Sequence, residues 1–301
     1  MAAFRATLSF PSNRYGMIML SRRWRSFVTA TVLCAGASRL GAQDATTAPV
    51  DTARAQQTLF NSRDALLAAG FFGVTLAMFP LDRYIETHLR DPATPTNRYF
   101  DRAAKGFEYV STPGSFIIGG SLYAFGTITR HRGIQDLGWH ATEAVFLGSG
   151  VTLLLKGVLG RARPDRTPDA RPSDFQLASG FGAEARQSFP SGHTTTAFAA
   201  ASAVTSEVSR MWPRYTWYVA PVMYGGATLV GLSRMYHNRH WASDVALGAG
   251  VGTFSGLKVV RYSHSHPDNF IDRIMLRTTV APDGRGGAYL IWSAPAPRGQ
   301  D

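Results

Sequence analysis

Apolar residues gather along the chain in six stretches, 65–81, 115–129, 141–155, 195–206, 215–233 and 245–257, divided by Pro, Gly and charged clusters. Apolar runs of this length, broken by such punctuation, predict an all-α fold, a helical bundle of about six helices. Residues 273–280 and 288–293 alternate loosely around Pro282-Asp283-Gly284, which predicts a short C-terminal β-hairpin-like tail. Between the third and fourth stretches, 165–187 contains Pro168, Pro172 and Gly180 and reads as a long loop. Before the first stretch the chain has two further parts. Residues 43–62 are polar and rich in Ala and Thr, as a linker is. Residues 1–42 have the build of an export signal: Arg22, Arg23 and Arg25 precede the apolar Ser26 to Ala37, and small residues follow at Gly41 and Ala42. A start at Met17 would give that signal more ordinary proportions. The expected organisation is thus 1–42 signal, 43–62 linker, 63–262 helical domain and 263–301 tail.

Charge changes this picture little. The 301 residues carry a formal net charge of +11, but six arginines before residue 43, where there are no acids, supply more than half of it. What remains is too modest for a nucleic-acid partner, and no basic run with interleaved aromatics suggests one. Cys34, the only cysteine, lies in the signal-like segment, so the expected mature chain has neither disulfide nor thiol chemistry.

Three short blocks carry the chemistry. In the first, Lys156 is followed seven residues later by Arg163 and Pro164. Seven residues are almost two helical turns, so both cations can share a face, and Pro164 ends or bends the helix at Arg163. In the second, Pro190-Ser191-Gly192-His193 precedes a Thr- and Ala-rich run that reads as a helix start. Free amides and the helix dipole attract an anion there, Gly192 allows close approach, Ser191 adds a hydroxyl, and His193 can act as acid or base. In the third, Ser233-Arg234 is followed by His240 and Asp244, four apart in a segment that resumes helical patterning. Asp244 can take a proton from one ring nitrogen of His240 and leave the other as a nucleophile. Each residue alone has a plainer role as helix cap, snorkelling cation or surface pair. Together they form a phosphoryl site. His88, His131, His140, His237, His264 and His266 match no block and read as structural or solvent-facing, with His237 and Arg239 placed at the site mouth.

The pattern K-x6-RP, PSGH and SR-x5-H-x3-D resembles, at every fixed position, the signature of the type 2 phosphatidic acid phosphatase and vanadium haloperoxidase superfamily. The resemblance covers roughly residues 136 to 260. It implies that the blocks meet at one end of a helical bundle. It also implies that His240 attacks phosphorus, that His193 protonates the leaving oxygen and later activates water, and that Asp244 orients His240. Lys156, Arg163 and Arg234, with Ser191 and the Gly192 amide, would hold the phosphate oxygens. Three cations serve where other phosphatases use divalent metals, and no carboxylate or histidine ligand cluster is seen near the blocks, so no metal and no cofactor is expected.

The expected function is hydrolysis of phosphate monoesters or pyrophosphates through a phosphohistidine, with a lipid phosphate, an isoprenoid pyrophosphate or a small phosphoester as substrate. A vanadate-dependent haloperoxidase and a non-catalytic helical membrane protein are the alternatives. Most apolar stretches are shorter than the roughly 20 residues of a membrane span, which favours an exported, soluble or membrane-associated domain narrowly over six spans. A cleaved signal, six spans and an exported site also exclude one another, because three spans would carry Lys156 back to the inner face.

Overall fold

The computed structural model describes residues 59–89, 98–166, 171–282 and 288–292. The signal-like segment, Cys34 and most of the linker lie outside the described residues. Among those described, the helices are α1 (Ser62–Met78), α2 (Asp82–Leu89), α3 (Arg98–Tyr109), α4 (Ser115–Thr129), α5 (Arg132–Leu159), α6 (Gly192–Met211), α7 (Thr216–Tyr236), α8 (Ala242–Ser265) and α9 (Phe270–Met275). The all-α bundle is present, and its helices outrun the apolar stretches. α5 starts nine residues before its apolar stretch, at a cap where the His131 ring accepts from the Ile134 amide.

α6 and α8 form the centre. They approach so closely that a Cβ on Gly252 would stand 2.3 Å from the Thr195 carbonyl oxygen. Ala144 and Val145 of α5 join Ala199 and Ala203 of α6 and Val259 and Val260 of α8 in the main core cluster. Polar links cross the same seams: Thr152 donates to Thr195 at 3.0 Å, and Ser202 donates to the Thr253 carbonyl at 3.0 Å. Small residues dominate these contacts, which lets the helix backbones approach closely.

α1 is tied along α8. Its first turn is closed by Asn61 and Asp64, each accepting the other's amide, and Asp64 also receives Lys258 at 2.5 Å and Arg261 at 2.6 Å. The start of α1 therefore lies beside the end of α8. A π-type turn, Val110–Gly114, joins α3 to α4. The expected hairpin is present as β1 (Thr278–Pro282) and β2 (Ala288–Trp292), antiparallel with Val280 opposite Leu290. Gln135 reaches the Thr278 carbonyl at 3.3 Å and Tyr123 the Met275 carbonyl at 2.7 Å, so the tail begins beside the α4–α5 turn.

Large apolar side chains cover the outside of the bundle. Leu66 and Phe72 on α1, Ile117 on α4, Leu153 and Leu154 on α5 and Val222 on α7 are each more than half exposed. Ser62–Leu89 and Arg132–Leu159 are long and apolar enough to cross a membrane.

Candidate active site

The three blocks converge at one end of the bundle, where α5 and α7 finish and α6 and α8 begin. Lys156 lies on the last turn of α5. The helix does not continue to Arg163: it ends at Gly160, whose φ of +56° places it in the left-handed region, and whose amide donates to the Lys156 carbonyl at 3.1 Å. The expectation that Lys156 and Arg163 share a helical face is thereby corrected. The chain leaves the helix four residues before Pro164, and Arg163 reaches the site from a loop pinned by its amide to the Ala185 carbonyl at 2.9 Å. The Lys156 ammonium donates to the Gln187 carbonyl.

The second block behaves as its sequence indicates. α6 begins at Gly192 with Ser191 as its N-cap. Ser191 is fully buried, its amide donates to the Asp244 carbonyl at 2.9 Å, and its hydroxyl accepts from Thr194 at 2.9 Å, which leaves its own proton for an anion. Gly192 is not required by the backbone. A Cβ there would stand 3.8 Å from Lys156 Cε, on the side facing the cation, in ordinary contact. The His193 ring is half-buried at the head of this helix.

The third block reaches its geometry by a different route from stacking on one helix face. α8 starts at Ala242, with Trp241 at the N-cap. His240 lies just before it, and Asp244 is the third helical residue. Asp244 Oδ2 caps the helix, accepting the Trp241 amide at 2.8 Å, and the same oxygen lies 3.4 Å from His240 Nδ1. The four-residue spacing therefore works as a cap that reaches back, which fixes the carboxylate more firmly than an exposed i,i+4 pair would.

Asp244 is held from every side. Ser188 donates to Oδ2 and Arg161 to Oδ1, each at 2.5 Å. Arg161, fully buried, also donates to Asp82 Oδ2 at 2.7 Å and to Ser243 at 2.7 Å, while Ser243 in turn donates to Asp82. The guanidinium lies over the rings of Phe79, Phe175, Phe189 and Trp241, with Phe79 nearest at 4.8 Å. Arg161 and Asp82 were not recognisable as site residues. Arg161 falls inside the first block, but its partners come from α2 and α8, and no local spacing reports them. Glu108, at the end of α3, is a further acid at the site: it receives Arg234 at 2.6 Å and His237 at 2.5 Å.

Positive charge acts on both histidines: Lys156 and Arg163 on His240, and Arg234, Lys156 and Arg163 on His193. Complete burial, reinforced by the Lys156 and Arg163 charges, holds the His240 imidazole at about 3, far below its ordinary range, although Asp244 pulls it upward. His240 is neutral at ordinary pH, with Nδ1 turned to Asp244 and Nε2 left for chemistry. Arg234 Nε is buried with no hydrogen-bond partner among the described residues. Buried cations, a helix N-terminus and an oriented imidazole together can hold a tetrahedral anion beside an imidazole nitrogen able to attack it. His237 and Arg239 lie at the edge, paired with Asp101 at 3.2 Å and Asp165 at 2.8 Å.

Comparison with known proteins agrees with this geometry. The model of the PAP2 superfamily matches residues 137–267. A lipid A 1-phosphatase of Rhizobium etli is 36% identical over 146 residues, which are 48% of this chain and 53% of that protein. A lipid A 1-phosphatase of Porphyromonas gingivalis is 41% identical over 97 residues, 32% of this chain and 17% of that protein. The chain thus spans about half the length of the first of these relatives and far less of the second. Among solved structures, Aquifex aeolicus LpxE aligns with a TM-score of 0.44 and 23% identity over 60% of this chain and 96% of that one. The Bacillus subtilis transmembrane PAP2 type phosphatidylglycerolphosphate phosphatase aligns with a TM-score of 0.46 and 20% identity, over 67% and 96%. The segment that holds all three blocks, residues 137–267, matches the PAP2 superfamily, and those blocks meet at one end of a helical bundle.

Proposed function

We propose that this protein is a membrane-embedded, metal-independent phosphatase that removes a phosphate monoester from a lipid headgroup, with lipid A 1-phosphate the first candidate substrate. The observation that carries this reading is the clamped Asp244–His240 pair, which turns a neutral imidazole toward a pocket of three cations. The phosphate oxygens are held by Lys156, Arg163 and Arg234, by the Ser191 hydroxyl and by the Gly192 amide. His240 Nε2 attacks phosphorus in line, the bond to the leaving oxygen breaks, and His193 gives that oxygen its proton. His193 then takes a proton from water, which attacks the phosphohistidine and releases inorganic phosphate and neutral His240. Charge builds on three phosphate oxygens in such a transfer, and the cations stabilise it without a metal.

The likeness to lipid A 1-phosphatases supports a lipid substrate, and the apolar exterior supports a lipid setting. Side chains such as Leu66, Phe72 and Leu154 would form an exposed apolar surface far larger than a soluble monomer tolerates. In this reading α1, α4, α5, α6, α7 and α8 are the spans, and the blocks lie at one membrane face. At the other end Arg130 and Arg132 lie at the α4–α5 turn, and Arg210 and Arg214 at the α6–α7 turn, which supports an inner position for that end in this reading. The site then opens outward, to the periplasm or cell exterior, and α1 enters from the inner side. A cleaved signal does not fit that topology.

The deciding experiment is a substrate panel in mixed micelles: lipid A, phosphatidic acid, an isoprenoid pyrophosphate and p-nitrophenyl phosphate, with rapid quenching in alkaline detergent to trap labelled phosphate on His240. Release of phosphate from a lipid with labelled His240 is expected. Bromide oxidation in the presence of vanadate without phosphatase turnover, or no turnover at all, would overthrow the reading.

A further inference from the structure

A second cluster of ionisable side chains lies deep between α5, α6 and α8, at the end remote from the blocks. His140 precedes Lys156 by sixteen residues on α5, about 24 Å along the helix axis. His140 is 1% exposed and Glu207 is 0% exposed. A carboxylate so placed is costly unless paired. His140 Nδ1 lies 2.5 Å from Glu207 Oε1, and His264 Nε2 lies 2.8 and 3.1 Å from the two Glu207 oxygens. The three residues, one from each helix, bring their donor atoms within 4.8 Å of one another. The pairing is incomplete: His140 Nε2 and Glu143 Oε2 are buried without a hydrogen-bond partner, and His140 Nε2 stands 3.7 Å from Asp272 Oδ1. Asp136, Glu143 and Asp272 all act on this group, so four carboxylates surround two imidazoles.

We propose that His140, Glu207 and His264 bind one divalent transition-metal ion, zinc above others, which clamps α5, α6 and α8 far from the phosphoryl site. Two imidazole nitrogens and one carboxylate oxygen are a donor set for zinc and its neighbours, not for calcium or magnesium. An ion about 2.0–2.2 Å from each donor takes the place of the protons that join Glu207 to the rings. Glu207 and His140 move apart to admit it, and the protons leave to solvent. With Nδ1 on the metal, His140 carries its remaining proton on Nε2, facing Asp272, the carboxylate–histidine pairing that orients metal ligands. Asp272 is itself fixed by Trp139 Nε1 at 3.1 Å and Asn269 Nδ2 at 2.6 Å. The His264 side chain, 26% exposed, gives the ion its way in. The catalytic reading has no part in this site.

The test uses full-length protein without a polyhistidine tag, stripped by a chelator, with Co2+ and Zn2+ as probes. About one Co2+ per chain is expected, with the visible absorption of tetrahedral coordination, proton release on binding, and a Tm raised by Zn2+. Asp272→Asn is expected to weaken Co2+ binding by about tenfold or more. His264→Gln is expected to lose both the absorption and the Tm rise on adding Zn2+ while its basal turnover stays unchanged. Failure of the wild-type protein to bind Co2+ stoichiometrically overturns the proposal whatever the variants do. So does a His264→Gln protein that keeps the absorption and the Tm rise. A catalytically inert protein that binds Co2+ in this way would retain the metal site and remove the phosphatase reading.

Discussion

Asp244 accepts from Ser188, Arg161 and the Trp241 amide, and the oxygen that caps α8 also faces His240. Three measurable outcomes follow at this scale. His240→Ala is expected to lower turnover by on the order of 10⁴-fold or more, as loss of a covalent nucleophile does, with an unchanged Tm; a fully active variant would refute the assignment. The second concerns pH. Protonation destroys the nucleophile, so a pKa held at about 3 moves the acid limb of the rate downward and extends activity into acid. Corrected for substrate ionisation, kcat/KM is expected to show no acid-side fall near pH 6.5 as the pH is lowered to about 5, whereas an ordinary imidazole nucleophile would bend it there. A bend near 6.5 that belongs to His240 would contradict the burial argument. Arg161 is a positioning residue and its loss is structural as well: Arg161→Ala strands Asp82 and Asp244, and is expected to cost about 3–5 kcal/mol, read as a lower Tm in detergent. The eight proposed site residues, which the structure brings to one end of the bundle, are legible in the sequence because the proposed phosphoryl transfer needs those side-chain types in that order. Arg161, Asp82 and Glu108 are not, because their meaning lies in partners from distant helices.

Gly160 shows what decides element boundaries. The apolar stretches locate six helices but understate them, since α5 runs from Arg132 through polar Asp136, His140 and Glu143 that turn toward the cluster with Glu207. A helical face can be polar and still be inside, and hydrophobic patterning alone cannot express that. α3 and the turn Val110–Gly114 escaped for a related reason: they are short and amphipathic, and their value is to bring Glu108 to Arg234. At the other end of α5, the seven-residue spacing from Lys156 to Arg163 reads as two helical turns, and the left-handed Gly160 overrides it. Gly160→Ala places a Cβ 1.9 Å from the Gln176 carbonyl oxygen in a conformation that L side chains disfavour. A loss of at least about 1–3 kcal/mol is expected, with Tm falling and kcat reduced because Lys156 and Arg163 flank the distorted turn. An unchanged Tm would mean that the helix end relaxes freely.

For the whole molecule, the difficulty lies in distinguishing burial in protein from burial in lipid. Short apolar stretches argue for helices buried against one another, and periodicity cannot separate the two. Exposure bears on it: side chains such as Val222 and Leu153, 71% and 63% exposed, lie on the surface of the bundle, as the lipid reading requires. The six-span reading also makes the inside–outside assignment testable, because Cys34, the only cysteine, can be replaced by serine and single cysteines introduced elsewhere. Gly182 has open space around its Cβ position in the loop beside the site, and Arg214 is exposed in the turn between α6 and α7 at the opposite end. The protein is expected to remain in the membrane pellet through alkaline carbonate and to need detergent for release. In intact cells a membrane-impermeant maleimide is expected to label Gly182→Cys and to spare Arg214→Cys until the membrane is opened. Release by carbonate would return the protein to the soluble class despite its apolar exterior. Labelling of Arg214→Cys alone would turn the site inward, restore compatibility with a cleaved signal, and direct the search for substrate to phosphorylated lipids of the inner face.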